Sequence, residues 1–199
     1  MDHADHVRLL RGGVREVTPD LIATGVSGTP DVIGVWADLG AGEGAFTLAL
    51  AELLPAGSVI HAVDRDSGAL AENARAYAHF ARDRKTATLV TQVADFTRGL
   101  DLPPLDGLVM ANSLHFVRDK APVLARVHAL LKPRSPLLLV EYDADSGNQW
   151  VPYPLSFETW KRLAMANGFT EPRLLGSEPS RFLRGIYSSI TERASITER

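Results

Sequence analysis

Polar residues recur where short apolar runs end. Asp38 lies in the run 35–39, Asp64 follows 58–63, Asp95 follows 88–94, Asn112 follows 107–111 and Glu141 closes 136–141. Between the first two carboxylates stands Asp38-Leu39-Gly40-Ala41-Gly42-Glu43-Gly44, with glycine at every second position. Glycine lets the backbone turn sharply and lets a ligand approach closely. Phe46, Leu50, Leu53 and Leu54 then share one helical face. A strand, a tight turn and a new helix therefore follow one another. Such a helix start offers unpaired N–H groups and the positive end of a dipole. This is a cofactor cradle, and Asp64, about twenty residues past the glycines, can accept from both hydroxyls of a ribose.

The elements that position these groups are legible from periodicity. Apolar runs of five to seven residues alternate with helical patterns of about 10–15 residues, which indicates βαβ units and a parallel sheet covered on both faces. Strands are expected over 35–39, 58–63, 88–94, 107–111 and 136–141, and helices over 45–54, 67–82, 119–131 and 156–167. The segments 173–176 and 182–190 predict an antiparallel hairpin at the end of the sheet. A short helix is expected over 4–11, then an irregular lead-in with one helical turn near Asp20 to Thr24. In a sheet of this kind the ligand crevice lies at the carboxyl ends of the strands, so the polar residues named above converge on one rim.

Composition narrows the chemistry. The 199 residues suit one domain, and a 45% hydrophobic, 23% charged composition is that of a globular protein. There is no cysteine, hence no thiolate nucleophile, thiolate metal site or disulfide. His3 and His6 have helical metal spacing but sit in an end expected to fray, and no metal site is expected. The net charge of −3 and scattered basic residues argue against a nucleic-acid partner. No apolar run approaches the roughly 20 residues of a membrane span. The first residues are polar and acidic, unlike a signal peptide, so the expected location is cytoplasmic.

Two adenosine cofactors remain. Gly40-x-Gly42-x-x-Ala45 satisfies the dinucleotide fingerprint with alanine in third place, which keeps a dinucleotide-dependent oxidoreductase open. Asp38 and Glu43 favour the other choice. A carboxylate beside the loop opposes a pyrophosphate and suits a cofactor bearing an ammonium and a sulfonium. No Gly-Lys-Ser/Thr follows the glycines, which excludes a nucleoside triphosphate loop.

Asp38 to Gly44 resembles the first motif of class I S-adenosylmethionine-dependent methyltransferases. Val63-Asp64 is similar to their acidic second-strand motif, Asp95-Phe96 to the pair that contacts adenine, and Leu108 to His115 to their fourth-strand motif. The resemblance implies a doubly wound α/β fold, with a mostly parallel seven-stranded sheet and a C-terminal antiparallel hairpin. It also implies S-adenosylmethionine as cofactor and a methyltransferase domain over 35–190, between an N-terminal helix and lead-in (1–34) and a tail (191–199). By the same resemblance Asp38, Gly40, Ala41 and Gly42 hold the methionine end and Asp64 the ribose. Asp95 and Phe96 take the adenine, and Ala111 with Asn112 faces the ammonium. Glu43 and Arg65 depart from the pattern. Arg65 stands where an apolar residue often packs on adenine, and its guanidinium plane can stack instead.

Methyl transfer needs a general base when the acceptor is an unactivated hydroxyl or a protonated amine. His115, just past the fourth strand, is the candidate. Glu141 and Tyr142 follow the fifth strand, where they are expected to contact the substrate. Trp150 and Tyr153 lie among prolines in the next loop, where they can wall an apolar or aromatic small-molecule acceptor. The acceptor pocket is expected to be open or completed by a second subunit, making a homodimer. A non-catalytic methyltransferase-like module that binds a partner is the alternative, because exposed aromatics also serve interfaces.

Overall fold

The computed structural model describes residues 1–16, 33–180 and 182–195. The helical turn expected near Asp20 to Thr24 lies outside them. The order is α1 (His3–Glu16), β1 (Val35–Leu39), α2 (Ala45–Leu53), β2 (Val59–Asp64), α3 (Ser67–Ala81), β3 (Thr88–Val93), β4 (Gly107–Ala111) and a 3-10 turn (Leu114–Phe116). Then come α4 (Ala121–Leu130), β5 (Pro136–Tyr142), α5 (Phe157–Ala166), β6 (Arg173–Pro179) and β7 (Gly185–Glu192).

One seven-stranded sheet runs β3-β2-β1-β4-β5-β7-β6. β1 pairs in parallel with both β2 and β4, so the strand order reverses between β1 and β4. β7 is antiparallel to β5 and β6. Every residue of β4 and β5 is buried, because apolar layers cover both faces. On one face Leu50 and Val109 pack with Leu10 of α1. On the other Leu124 of α4 and Trp160 of α5 pack with Met110 and Leu139.

The ends of the chain are more structured than their sequences suggest. The helix expected over 4–11 extends to Glu16, because Val7, Leu10 and Val14 form a stripe buried against α2 and the sheet. β7 continues past residue 190 to pair Glu192 with Pro136. Arg193 N–H then donates to Ser135 O at 3.0 Å, and Ala194 N–H to Gly168 O at 3.0 Å. The expected tail is thus stitched to Ser135 before β5 and Gly168 after α5 as far as Ala194. Phe182 falls outside β7, in the connection from β6, which leaves its ring exposed. Among the described residues no helix is long and apolar enough to cross a membrane.

Candidate active site

The glycine loop is built from backbone bonds. Gly40 and Ala41 N–H both donate to Val63 O, at 2.8 and 3.1 Å, which ties the loop after β1 to the end of β2. Gly42 N–H donates to Asp64 Oδ2 at 2.9 Å and Asp66 N–H to Asp64 Oδ1 at 2.9 Å. Each oxygen of Asp64 is held by one backbone donor and keeps a lone pair for a ligand hydroxyl. Gly40 has φ +79°, and a Cβ there would lie 2.4 Å from Ser113 Cβ. Gly42 has φ +52°, and a Cβ there would meet nothing within 4 Å. The first glycine lets β1 and β4 approach, and the second keeps the cradle open. Gly44 starts α2 with no side chain capping its first N–H groups.

A cavity of about 360 Å³ opens at this switch point. Gly40, Gly42, Asp64, Arg65, Asp95, Phe96 and Asn112 all line it. Asp95 Oδ1 accepts from Thr97 N–H (2.9 Å) and Thr97 Oγ1 (2.7 Å), bonds that hold its carboxyl below the usual range. Asn112 has φ +53°, and its Oδ1 is a buried acceptor with no donor among the described residues. That orphaned oxygen suits an ammonium, and Asp64 suits a ribose. The residues present fit an amino-acid-bearing adenosine cofactor. Ser113, Phe116, Val117, Thr97, Asp66, Ala69 and Ala94 also line the wall and were missed from sequence. Ser113 and Phe116 had a signal in their closeness to the end of β4, whereas the others face the cavity only through the fold.

Asp38 lies behind the cavity wall. It is 1% exposed and does not line the cavity. Its Oδ2 accepts from Thr47 Oγ1 at 2.7 Å, and Thr47 Oγ1 accepts from Asn73 Nδ2 at 3.0 Å. Burial pushes the Asp38 carboxyl up to about 7, with Thr47 opposing the shift and Asp64 adding to it. Asp38 therefore braces β1 against α2 and α3. Ala41 and Ala111 are also buried behind the wall.

The acceptor-side residues divide differently. His115 is 3% exposed and does not line the cavity, although Ser113 and Phe116 on either side of it do. Its Nδ1 lies 2.9 Å from Glu141 Oε2, and its N–H donates to Glu141 Oε1 at 3.0 Å. Tyr142 N–H also donates to Oε2, at 3.3 Å. Glu141 and Tyr142, expected to touch substrate, are buried, because β5 runs beneath the 3-10 turn. Glu141 is the partner of His115, and Tyr142 packs edge-on against it with centroids 5.4 Å apart. Lys120 is buried beside them, its ammonium donating to Val117 O and Tyr153 O at 2.8 Å each. Burial lowers the Lys120 pKa and the nearby Glu141 opposes that shift. Trp150 and Tyr153 are exposed on the loop after β5.

Known proteins share this fold. A family described as a methyltransferase domain matches residues 37–137, half of the chain. No curated protein matches. Among solved structures the chain is similar to the CurJ carbon methyltransferase, with TM-score 0.68 and 20% identity over 92% of this chain and 54% of that one. It thus spans about half the length of that structure. It is also similar to magnesium protoporphyrin IX methyltransferase from Synechocystis PCC 6803 with bound SAM (TM-score 0.64, 17% identity, 92% of this chain and 79% of that one). A third is an arsenic(III) S-adenosylmethionine methyltransferase from Chlamydomonas reinhardtii (TM-score 0.65, 19% identity, 94% and 74%). Carbon, a porphyrin and arsenic are very different acceptors, so the shared fold leaves the acceptor open. Glycine loop, sheet order and family match together place the chain in the class I S-adenosylmethionine-dependent methyltransferase family.

Proposed function

We propose that this protein transfers a methyl group from S-adenosylmethionine to a small-molecule acceptor, with His115 as general base. The observation that carries the reading is the cavity at the β1–β4 switch point, with Asp64 fixed by Gly42 N–H and an unpartnered Asn112 Oδ1 in its wall. Asn112 accepts from the ammonium, Asp64 from the ribose hydroxyls and Asp95 from the adenine amino group. Phe96 and Arg65 border the adenine. When bound, the cofactor supplies a methyl group on a good leaving group, so that holding the partners in line contributes up to about 7–11 kcal/mol.

His115 moves the proton. The Glu141 carboxylate already accepts from two backbone N–H groups, so it acts as an acceptor towards the ring as well, and the proton of the neutral imidazole sits on Nδ1. Nε2 is then the basic nitrogen. Glu141 also stabilises the imidazolium that forms when Nε2 takes up a proton.

S-adenosylhomocysteine is expected to raise the melting temperature by mass action, as any ligand of the native state does. No shift at millimolar ligand in a folded sample would overturn the reading. The partner-binding module has one observation in its favour, the 3% exposure of His115. It predicts cofactor binding with no methyl transfer to any member of a labelled-methyl acceptor screen.

A further inference from the structure

The chain has fourteen aromatic residues, and among the described residues just four are exposed: Phe116, Trp150, Tyr153 and Phe182. All four lie on the side of His115, on the turn after β4, the loop after β5 and the connection between β6 and β7. Those segments are bonded to one another. Tyr153 N–H donates to His115 O at 3.0 Å, and Lys120 joins Tyr153 O to Val117 O. Asn148 Nδ2 donates to Phe182 O at 3.0 Å, while Asn148 Oδ1 accepts from Trp150 and Val151 N–H at 2.9 Å each. The exposed rings are therefore mounted on backbone held by hydrogen bonds.

The rings also connect inward. Phe182 meets Tyr142 edge-on at 6.4 Å, Tyr142 meets His115 at 5.4 Å, and His115 meets Phe116 at 4.2 Å. Phe116 stands in the wall of the cofactor cavity. A chain of ring contacts thus runs from exposed Phe182 through the buried Tyr142 and His115 to Phe116 in the wall of the cofactor cavity. Exposed apolar patches of this kind mark binding sites, and aromatic faces and edges favour other flat rings in offset or edge-on contact. The acids of this loop are already engaged. Asp143 accepts from Phe157 N–H at 2.9 Å, and Asp145 accepts from Ser156 N–H at 3.0 Å and Ser156 Oγ at 2.8 Å. These bonds anchor the start of α5.

We propose that this rim is the acceptor site and that it takes a flat aromatic or conjugated molecule carrying a weakly acidic hydroxyl. The inference rests on the methyltransferase reading above and adds the acceptor class. The flatness follows from the rings. The hydroxyl follows from the base, since an acceptor that already carries a free lone pair on an uncharged nitrogen or a thiolate needs none.

The test is calorimetric titration of 2-naphthol, of its saturated analogue decahydro-2-naphthol and of 2-naphthylmethylammonium. Each is titrated into the protein alone and into the protein saturated with S-adenosylhomocysteine. 2-Naphthol is expected to bind at least tenfold more tightly than the other two. Phe182→Ala and Trp150→Ala, both at exposed positions, are each expected to weaken it at least threefold while the Kd of S-adenosylhomocysteine stays within twofold. Equal binding of the saturated analogue, a preference for the ammonium or undiminished binding by both variants would overturn the proposal. So would sedimentation showing a dimer that Trp150→Ala dissociates, since a second copy would then cover the rim. If S-adenosylhomocysteine does not bind, the methyltransferase reading fails by itself. If it binds and 2-naphthol shows no preference, only the acceptor class fails.

Discussion

The two halves of the crevice are built on opposite plans. The cofactor half uses backbone donors, short polar side chains and glycines at the ends of β1, β2, β3 and β4. The proposed acceptor half uses a buried imidazole–carboxylate pair from β5 and the turn after β4, beside aromatic rings supplied by three separate segments. The first plan suits a ligand with a constant set of donors and acceptors. The second keeps the reactive group dry and leaves recognition to side chains that can vary without disturbing the sheet.

Substitutions can break one half and spare the other. His115→Ala is expected to have the largest effect, lowering kcat with an acceptor found by labelled-methyl screening by about 10²–10⁴-fold. The Kd of S-adenosylhomocysteine should stay within twofold, and an equal loss of cofactor affinity would merge the two halves. Asp64→Ala should act in reverse. It removes the acceptor of Gly42 and Asp66 N–H and of the ribose, a loss on the order of 2–3 kcal/mol, or about 30–150-fold in Kd by calorimetry. Thr47→Val leaves Asp38 and Asn73 buried without their shared partner, which costs about 1–3 kcal/mol of stability in urea unfolding. An unchanged midpoint would mean that the polar chain behind the loop carries no weight.

The smallest effect is a pH dependence. Asp38 titrates near 7 in the folded protein, against 3.8 for an unperturbed side chain. Between those values the native state binds more protons than the unfolded one, so this group's contribution to stability falls as pH rises through the window. Asp38→Asn should flatten the decline in melting temperature from pH 5 to pH 7.5. A steeper decline would contradict the assigned cause.

The sequence made the cofactor half legible because its geometry is local. Glycine spacing, strand-end acids and the apolar runs of β4 and β5 follow from neighbours a few residues apart. The burial of Asp38 is not legible because motif position tells nothing of burial; Thr47 and Asn73, nine and thirty-five residues away, decide where its carboxyl points. The pairing of Glu141 is equally hidden, since His115 lies 26 residues earlier, on the turn over β5. Phe116 and Phe182 went unnoticed because exposure of an aromatic residue is set by packing, and neither position has a periodic signal. The extension of α1 to Glu16 arises from burial against the sheet, which outweighs the two glycines in its interior.

The central claim is that Asn112 Oδ1 and Asp64 await an amino-acid-bearing adenosine cofactor. A crystal structure grown with S-adenosylhomocysteine tests it most directly. The account predicts the ligand ammonium within about 3 Å of Asn112 Oδ1 and both ribose hydroxyls on the Asp64 carboxylate. A ligand bound elsewhere, or one whose ammonium leaves Asn112 Oδ1 unpartnered, would contradict it.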